Sequence, residues 1–355
     1  MPDFKYLFGP VPSRRFGLSL GVDLLPRKTC TLDCIFCEVG PTTHRTLVRK
    51  EYVPTEEVLK ELAAWFALNL KADFITVTGS GEPTLHTRFG DVLSAIRAQG
   101  RVSSHELVSS QGRGRPHAGV RAALLTNSTL LHLPEVRSCA ALAEVVKVSL
   151  SAWDQVSFAA ITRPHADLSF DRLVDGLRKF RQDFSGELWM EVFIVPGLNA
   201  LRNQVKAIAA LARTIRPDRV QLNTAVRPTA QQDVPPLSES QLRSLAGCFT
   251  PAAEVIARFA SGGVPIRDSP RRSALAVAKR YGGARSAEPG ARSGSRHADK
   301  SAVRAMLQRR PCTVEDVAHA FALSREEAET MVRELVGQHV VRAEVRNGET
   351  YYIGE

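Results

Sequence analysis

Short β-rich runs alternate with helical stretches along most of the chain, and that alternation leaves few folds open. Phe74–Ile75–Thr76–Val77–Thr78 is a β-branched and aromatic run closed by Gly79. Leu124–Leu125–Thr126 ends a second run, Val145 to Leu150 forms a third, Leu188 to Val195 a fourth closed by Pro196–Gly197, and Val220 to Asn223 a fifth. Between them, Thr55 to Leu70 reads as an amphipathic helix. Thr55 suits its cap, Glu56 and Glu57 its first turn, and Val58, Leu59, Leu62, Phe66 and Leu70 share one face. Ser169 to Phe184 and Arg202 to Ile215 read the same way. Strands alternating with helices imply right-handed βαβ units and a parallel sheet. With a first strand near Leu18 to Leu24, about six units are expected, fewer than the eight of a closed barrel. The expected fold class is therefore α/β, a partial (β/α)6 barrel of parallel strands, with its chemistry at the C-terminal strand ends.

Two segments break the rhythm. Gly100 to Gly119 is rich in Ser, Gly, Arg and Gln without periodicity and reads as an exposed loop insertion. Gly282 to His297 is of low complexity and reads as a linker. Beyond it, Ser301 to Arg310 is helical, Thr313 to Asp316 and Ser324 to Glu327 are two capping boxes, and Val340 to Val345, Asn347–Gly348 and Thr350 to Ile353 read as a β-hairpin. The expected organisation is a barrel domain over 1–281, a basic flexible linker over 282–298 and a small winged-helix-like domain over 299–355. Ser324 to His339, the DNA-reading position of such a domain, holds four Glu and two Arg. A helix of that charge is a poor partner for phosphates, so docking of a protein or peptide is the expected role.

Chemistry concentrates at Cys30–Thr–Leu–Asp–Cys34–Ile–Phe–Cys37, three of the six cysteines within eight positions. Six cysteines are too sparse for a disulfide scaffold in a 355-residue chain, and a cluster of this kind points to metal. Soft thiolates at these spacings wrap one compact centre and suit an iron–sulfur cluster or zinc. Three local ligands for four irons leave one iron open to bind and activate a small molecule. The alternative is a zinc-binding regulatory module with a winged helix, its zinc completed by a distant His or Cys. An electron carrier would need a fourth cysteine ligand and a small fold. Cys139, Cys248 and Cys312 stand alone and read as packing residues.

The C-x3-C-x-aromatic-C spacing, with Phe36 before the last cysteine, resembles the signature of the radical S-adenosylmethionine (SAM) superfamily. Further segments follow in the order of that family. Thr78–Gly79–Ser80–Gly81–Glu82–Pro83 resembles its glycine-rich motif for the methionine end of SAM, where glycines admit a close ligand and Glu82 can accept from the ammonium. Ser149, toward the C-terminal end of Val146 to Ser151, falls where members contact the ribose, and Val195, within Glu191 to Asn199, where their fifth strand passes the adenine. Asn127 and Asn223 end the third and sixth strands, where each can also satisfy backbone groups. The resemblance implies a [4Fe–4S] cluster on Cys30, Cys34 and Cys37, with SAM cleaved reductively to a 5′-deoxyadenosyl radical that abstracts hydrogen. It also implies an electron donor such as flavodoxin or ferredoxin.

The opening Gly9 to Gly17, with Leu20 to Asp23 and Val220 to Pro228, is similar to an uncharacterised group related to the wyosine-synthesis enzymes, which modify transfer RNA. Those enzymes hold a second cluster, and no second cysteine triplet stands here. The formal charge of +10 fits a polyanionic substrate such as RNA, although seven Lys/Arg against one acid between Arg271 and Arg296 also read as a basic linker. Arg14, Arg15 and Arg227 can clamp a phosphate or carboxylate, but ordinary surface arginines are the favoured reading. His44, His86 and His165 follow motif segments but read as solvated or core-satisfied. No run approaches the ~18 to 20 apolar residues of a membrane span, and the N-terminus lacks a signal-like apolar core. No membrane partner is expected, and the expected compartment is the cytoplasm.

Overall fold

The computed structural model describes residues 4–105, 119–259, 300–321 and 323–355, with the backbone alone for 101–105. Its main body is an eight-stranded sheet made of β1 (Leu7–Ser13), β2 (Gly17–Asp23), β5 (Phe74–Thr78), β6 (Arg121–Leu125), β7 (Val145–Ser149), β8 (Glu187–Phe193), β9 (Arg219–Asn223) and β10 (Glu254–Val255), hydrogen-bonded in that order. β1 pairs antiparallel with β2, and every later neighbour is parallel. A two-residue parallel pair, β3 (Thr29–Cys30) and β4 (His44–Arg45), lies in the long connection after β2. The α/β class and its largely parallel sheet match the expectation from alternation, including a first parallel strand near Leu18.

The helices are α1 (Thr55–Ala67), α2 (Phe89–His105), α3 (Pro134–Ala140), α4 (Gln155–Thr162), α5 (Phe170–Asp183), α6 (Arg202–Ile215) and α7 (Glu239–Ala246). Period-two alternation sorts the strand residues. Val22, Ile75, Val77, Leu124, Val146, Val148, Met190 and Val192 join one core with Leu62, Ile96, Leu177 and Ile208 of the covering helices. The opposite face points into the barrel. Near its N-terminal end, Phe16, Ala123, Val145 and Trp189 seal it, with Phe16 stacked on Trp189 at 5.1 Å. Toward the C-terminal ends this face turns polar, with Thr76, Lys147, Glu191, Gln221 and Asn223 all buried. A polar inner face at the strand ends is where a ligand must sit.

Two local readings change. Thr55 is the first helical residue of α1 and does not cap it; Pro54 precedes it, and the Thr55 amide donates to Glu51 Oε1 at 2.7 Å. Residues 100–105 belong to α2, whose buried Phe89, Val92, Leu93 and Ile96 carry the helix past Gly100. The rest of the expected insertion, 106–118, and the expected linker over 282–298 lie outside the described residues.

The C-terminal part comprises α8 (Lys300–Arg309), α9 (Val314–Phe321), α10 (Arg325–Gly337) and a hairpin of β11 (Val341–Arg346) and β12 (Glu349–Gly354). Both capping boxes form: the Asp316 amide donates to Thr313 Oγ1 at 3.2 Å, and the Ser324 amide to Glu327 Oε2 at 2.7 Å. Asn347 and Gly348 take the positive φ values of the hairpin turn. Val303, Met306, Leu307, Val317, Val332 and Leu335 make a core of their own, and Val11 of β1 inserts into it. Polar contacts fix the same docking. Arg309 pairs with Asp23 at 3.2 Å, Arg227 with Asp316 at 3.4 Å, and Arg27 donates to the Gly354 carbonyl at 2.8 Å.

Candidate active site

A cavity of about 240 Å³ opens at the C-terminal ends of β5 to β8. Its walls include Cys30, Cys34, Cys37, Phe36, Gly79, Ser80, Gly81, Glu82, Asn127 and Ser149. Residues up to 119 positions apart in the chain thus meet at one place. Pro83, Val195 and Asn223 do not line it. Pro83 is buried at the start of a 3-10 turn over Pro83–Leu85. Val195 packs with Ile35 and Phe193 behind Phe36, and Asn223 belongs to an ion-pair network on the inner sheet face.

The cysteine loop is held on several sides. The Asp33 amide donates to the Thr162 carbonyl at 3.0 Å and the Ile35 amide to Ile161 at 3.2 Å, so the C-terminal end of α4 anchors its middle. Phe36 stacks on Phe193 at 4.2 Å and 9°, tying it to the end of β8. Burial pushes the Cys30 thiol up to about 12, with Glu82 adding to the rise, and raises Cys34 and Cys37 as well. Uptake of a metal centre here therefore releases protons.

The glycine segment fits where it does because side chains are missing. A Cβ on Gly81 would stand 1.6 Å from the Thr29 carbonyl oxygen, and one on Gly79, at φ +136°, 2.1 Å from Asp23 Oδ1. Asp23 grips the segment from below, accepting from the Ser80 hydroxyl at 2.7 Å and the Ser80 amide at 3.2 Å. Glu82 is buried, with both oxygens occupied. Oε1 accepts from the hydroxyls of Thr84 at 2.5 Å and Thr126 at 2.6 Å, and Oε2 from the Asn127 amide at 2.7 Å. Its visible work is to join the loops after β5 and β6. Asn127 in turn donates from Nδ2 to Thr31 Oγ1 at 2.8 Å and to Cys30 Sγ at 3.5 Å. On a cluster ligand such an amide donor would shift the cluster's potential, a use that the position of Asn127 at a strand end does not announce.

Several partners have weak signals in the sequence. Asp23 offers none beyond its place at a strand end. Lys147 and Glu191 offer a better one, each a charge set between buried apolar neighbours. Lys147 Nζ donates to Glu191 Oε2 at 3.0 Å and to Ser149 Oγ at 3.1 Å; Arg15 and Asn223 bind the other Glu191 oxygen. Against a burial that would raise it, Arg15 and Lys147 hold the Glu191 carboxyl well below the usual range. Arg14, Arg15 and Arg227 are not surface arginines: their side chains are 9%, 11% and 8% exposed. Arg14 and Arg227 pair with Glu38 at 2.9 and 3.5 Å and hold it down to about 2 in spite of its burial. The histidines stand apart from the cavity. His86 bonds the Val53 carbonyl at 2.9 Å, His44 is exposed in β4, and the His165 ring accepts from the Asp167 amide. Cys312 is buried in the C-terminal core, while Cys139 and Cys248 pack against the main one.

Among the described residues, no three of His, Cys, Asp and Glu close on a point as a single ion requires. The three thiols instead share the wall of one cavity, which fits a multi-iron cluster taking one thiolate per iron. A family model described as the radical SAM superfamily matches residues 25–211, just over half of the chain. This chain belongs to the radical SAM superfamily. Membership implies an enzyme that cleaves SAM at an iron–sulfur cluster. Its relatives include a UPF0026 protein of Helicobacter pylori, 34% identical over 66% of this chain and 71% of that one. They also include a protein of Brachyspira hyodysenteriae named GTPase Obg, 33% identical over 67% of this chain. The chain spans only 32% of that longer relative. A radical SAM methyltransferase structure from Sphaerobacter thermophilus is similar at 17% identity and a TM-score of 0.44, over 69% of this chain and 67% of that one. The Helicobacter relative bears the UPF0026 name, and neither it nor the Brachyspira protein bears a wyosine-synthesis one. No helix among the described residues of this radical SAM chain is long and apolar enough to cross a membrane.

Proposed function

We propose that the chain binds a [4Fe–4S] cluster through Cys30, Cys34 and Cys37 and uses it to cleave SAM to a 5′-deoxyadenosyl radical that takes hydrogen from a substrate. One observation carries this reading: the three thiols and the Gly79–Gly81 segment line the same buried cavity at the strand ends. The chain's own residues then have definite tasks. Gly79 and Gly81 leave backbone polar groups free to meet the amino-acid end of SAM at close range. Glu82 keeps that backbone in register with the Asn127 loop, and Asn127 donates to the Cys30 sulfur. Phe36 and Phe193 shield the cluster side from water, which protects a radical from quenching. Lys28 lies beside Cys37, and burial with too few counter-charges lowers it to about 8. A small reduced carrier such as flavodoxin or ferredoxin supplies the electron.

Anaerobic protein reconstituted with iron and sulfide should absorb broadly near 400 nm, as thiolate-ligated clusters do. After reduction it should form 5′-deoxyadenosine from SAM, and Cys34→Ala should lose both properties. SAM left intact by a fully loaded, reduced protein would refute the reading.

A further inference from the structure

A second cavity, of about 200 Å³, adjoins the first and shares Val39, Thr78, Gly79 and Leu125 with it. Five arginines stand in its walls: Arg14, Arg15, Arg227, Arg309 and Arg310, against Glu38 as the sole carboxylate. Behind the walls, Asp23 pairs with Arg309, Glu191 with Arg15 and Lys147, and Asp316 with Arg227. Six cations thus face four carboxylates, which leaves a net excess of two positive charges.

The excess is local. Arg310 forms no ion pair among the described residues, and its Nε and Nη2 are buried without an acceptor. No other described side chain leaves two such atoms, and Arg15 Nε beside it is a third orphan in the same walls. Buried guanidinium donors without acceptors are expensive, and a protein keeps them where a ligand completes them. Guanidinium forks match the oxygens of a phosphate with two parallel hydrogen bonds. A phosphate monoester carries about −1.5 to −2 at neutral pH, which equals the excess.

We infer that this arginine-lined pocket binds the phosphate monoester of a small substrate and holds the rest of that molecule toward the SAM cavity, with Arg310 of the C-terminal part as its principal unpaired donor. A polymeric phosphodiester fits less well, since each of its phosphates brings one charge to a pocket that lacks two. That the anchored molecule is the substrate rests on the function proposed above; that the pocket binds a phosphate does not.

Isothermal titration of the full chain with inorganic phosphate, in chloride buffer at constant ionic strength and without SAM or reductant, tests the pocket alone. Saturable binding is expected, with Arg310→Gln weakening it tenfold or more, as for loss of a charge-assisted pair. Arg310→Lys, which keeps the charge but not the fork, should fall between. In phosphate-free buffer Arg310→Gln should melt no lower than the parent, because it removes an unpaired buried charge; a lower melting temperature would mark a structural arginine and overturn the assignment. So would phosphate binding that is absent or unchanged in the variant, tighter binding of malonate than of phosphate, or tighter binding of a single-stranded RNA with no terminal phosphate. Phosphate binding in a protein that forms no 5′-deoxyadenosine would keep the pocket and discard the radical function; the reverse result would do the opposite.

Discussion

Asp23 accepts from the amide and hydroxyl of Ser80, from the Leu25 amide and from Arg309, so a single carboxylate sets the floor of the glycine segment. That segment tolerates no side chain at Gly81, where the obstacle is the Thr29 backbone itself. Gly81→Ala should cost about 3 kcal/mol, the upper end of overpacking, and weaken SAM binding, as read by chemical denaturation and equilibrium dialysis. Glu191 makes a pH prediction. Its carboxyl is held below its unfolded value, so its contribution is complete above the ordinary glutamate range and disappears as pH falls through the folded value. Glu191→Gln should therefore lose about 3 kcal/mol at pH 7, as for one partner of a buried pair. Its gap to the parent should narrow steadily once pH drops below about 4.3. A gap that stays constant from pH 7 to pH 3 would contradict the ion-pair account. Among site residues, the three cysteines and the glycine segment were legible because their spacing is local. Asp23, Glu38 and Arg309 were not, because each matters only through a partner distant in sequence.

At the scale of elements, six parallel strands of the main sheet could be read to within about three residues, since buried strands are continuous apolar runs, whereas the two-residue β10 and the β3–β4 pair could not. Arg202 to Ile215 was legible for its strong 3.6-residue periodicity. α4 was not. Gln155 to Thr162 is short and apolar on most sides, yet its C-terminal end anchors the cysteine loop. β1 also escaped notice, since Gly9, Pro10 and Pro12 in Leu7 to Ser13 argue against a strand; an edge position with an irregular register accommodates them. Glycines separate two kinds of position. At Gly337, in the last turn of α10, a Cβ would meet nothing within 4 Å, so Gly337→Ala should raise stability by about 0.5 to 1 kcal/mol in a denaturant titration. The same substitution at Gly81 has the opposite sign.

Over the whole molecule, the C-terminal part takes Val11 of the barrel's first strand into its own core and gives Arg309 and Arg310 to the barrel's mouth. Its three helices and hairpin were legible from two capping boxes and an Asn–Gly turn; its seat was not, because docking surfaces have no period. Arg309→Met should cost about 3 kcal/mol, since it strands a buried carboxylate. Asp23→Asn added to it should recover part of that loss, and strictly additive effects in this double-mutant cycle would show the pair to be uncoupled. The Arg309–Asp23–Ser80 chain also sets an order of events during synthesis. Asp23 leaves the ribosome 286 residues ahead of the guanidinium that neutralises it. Until then the floor of the glycine segment lacks its cationic partner, so that floor is complete only once the C-terminal part has been made.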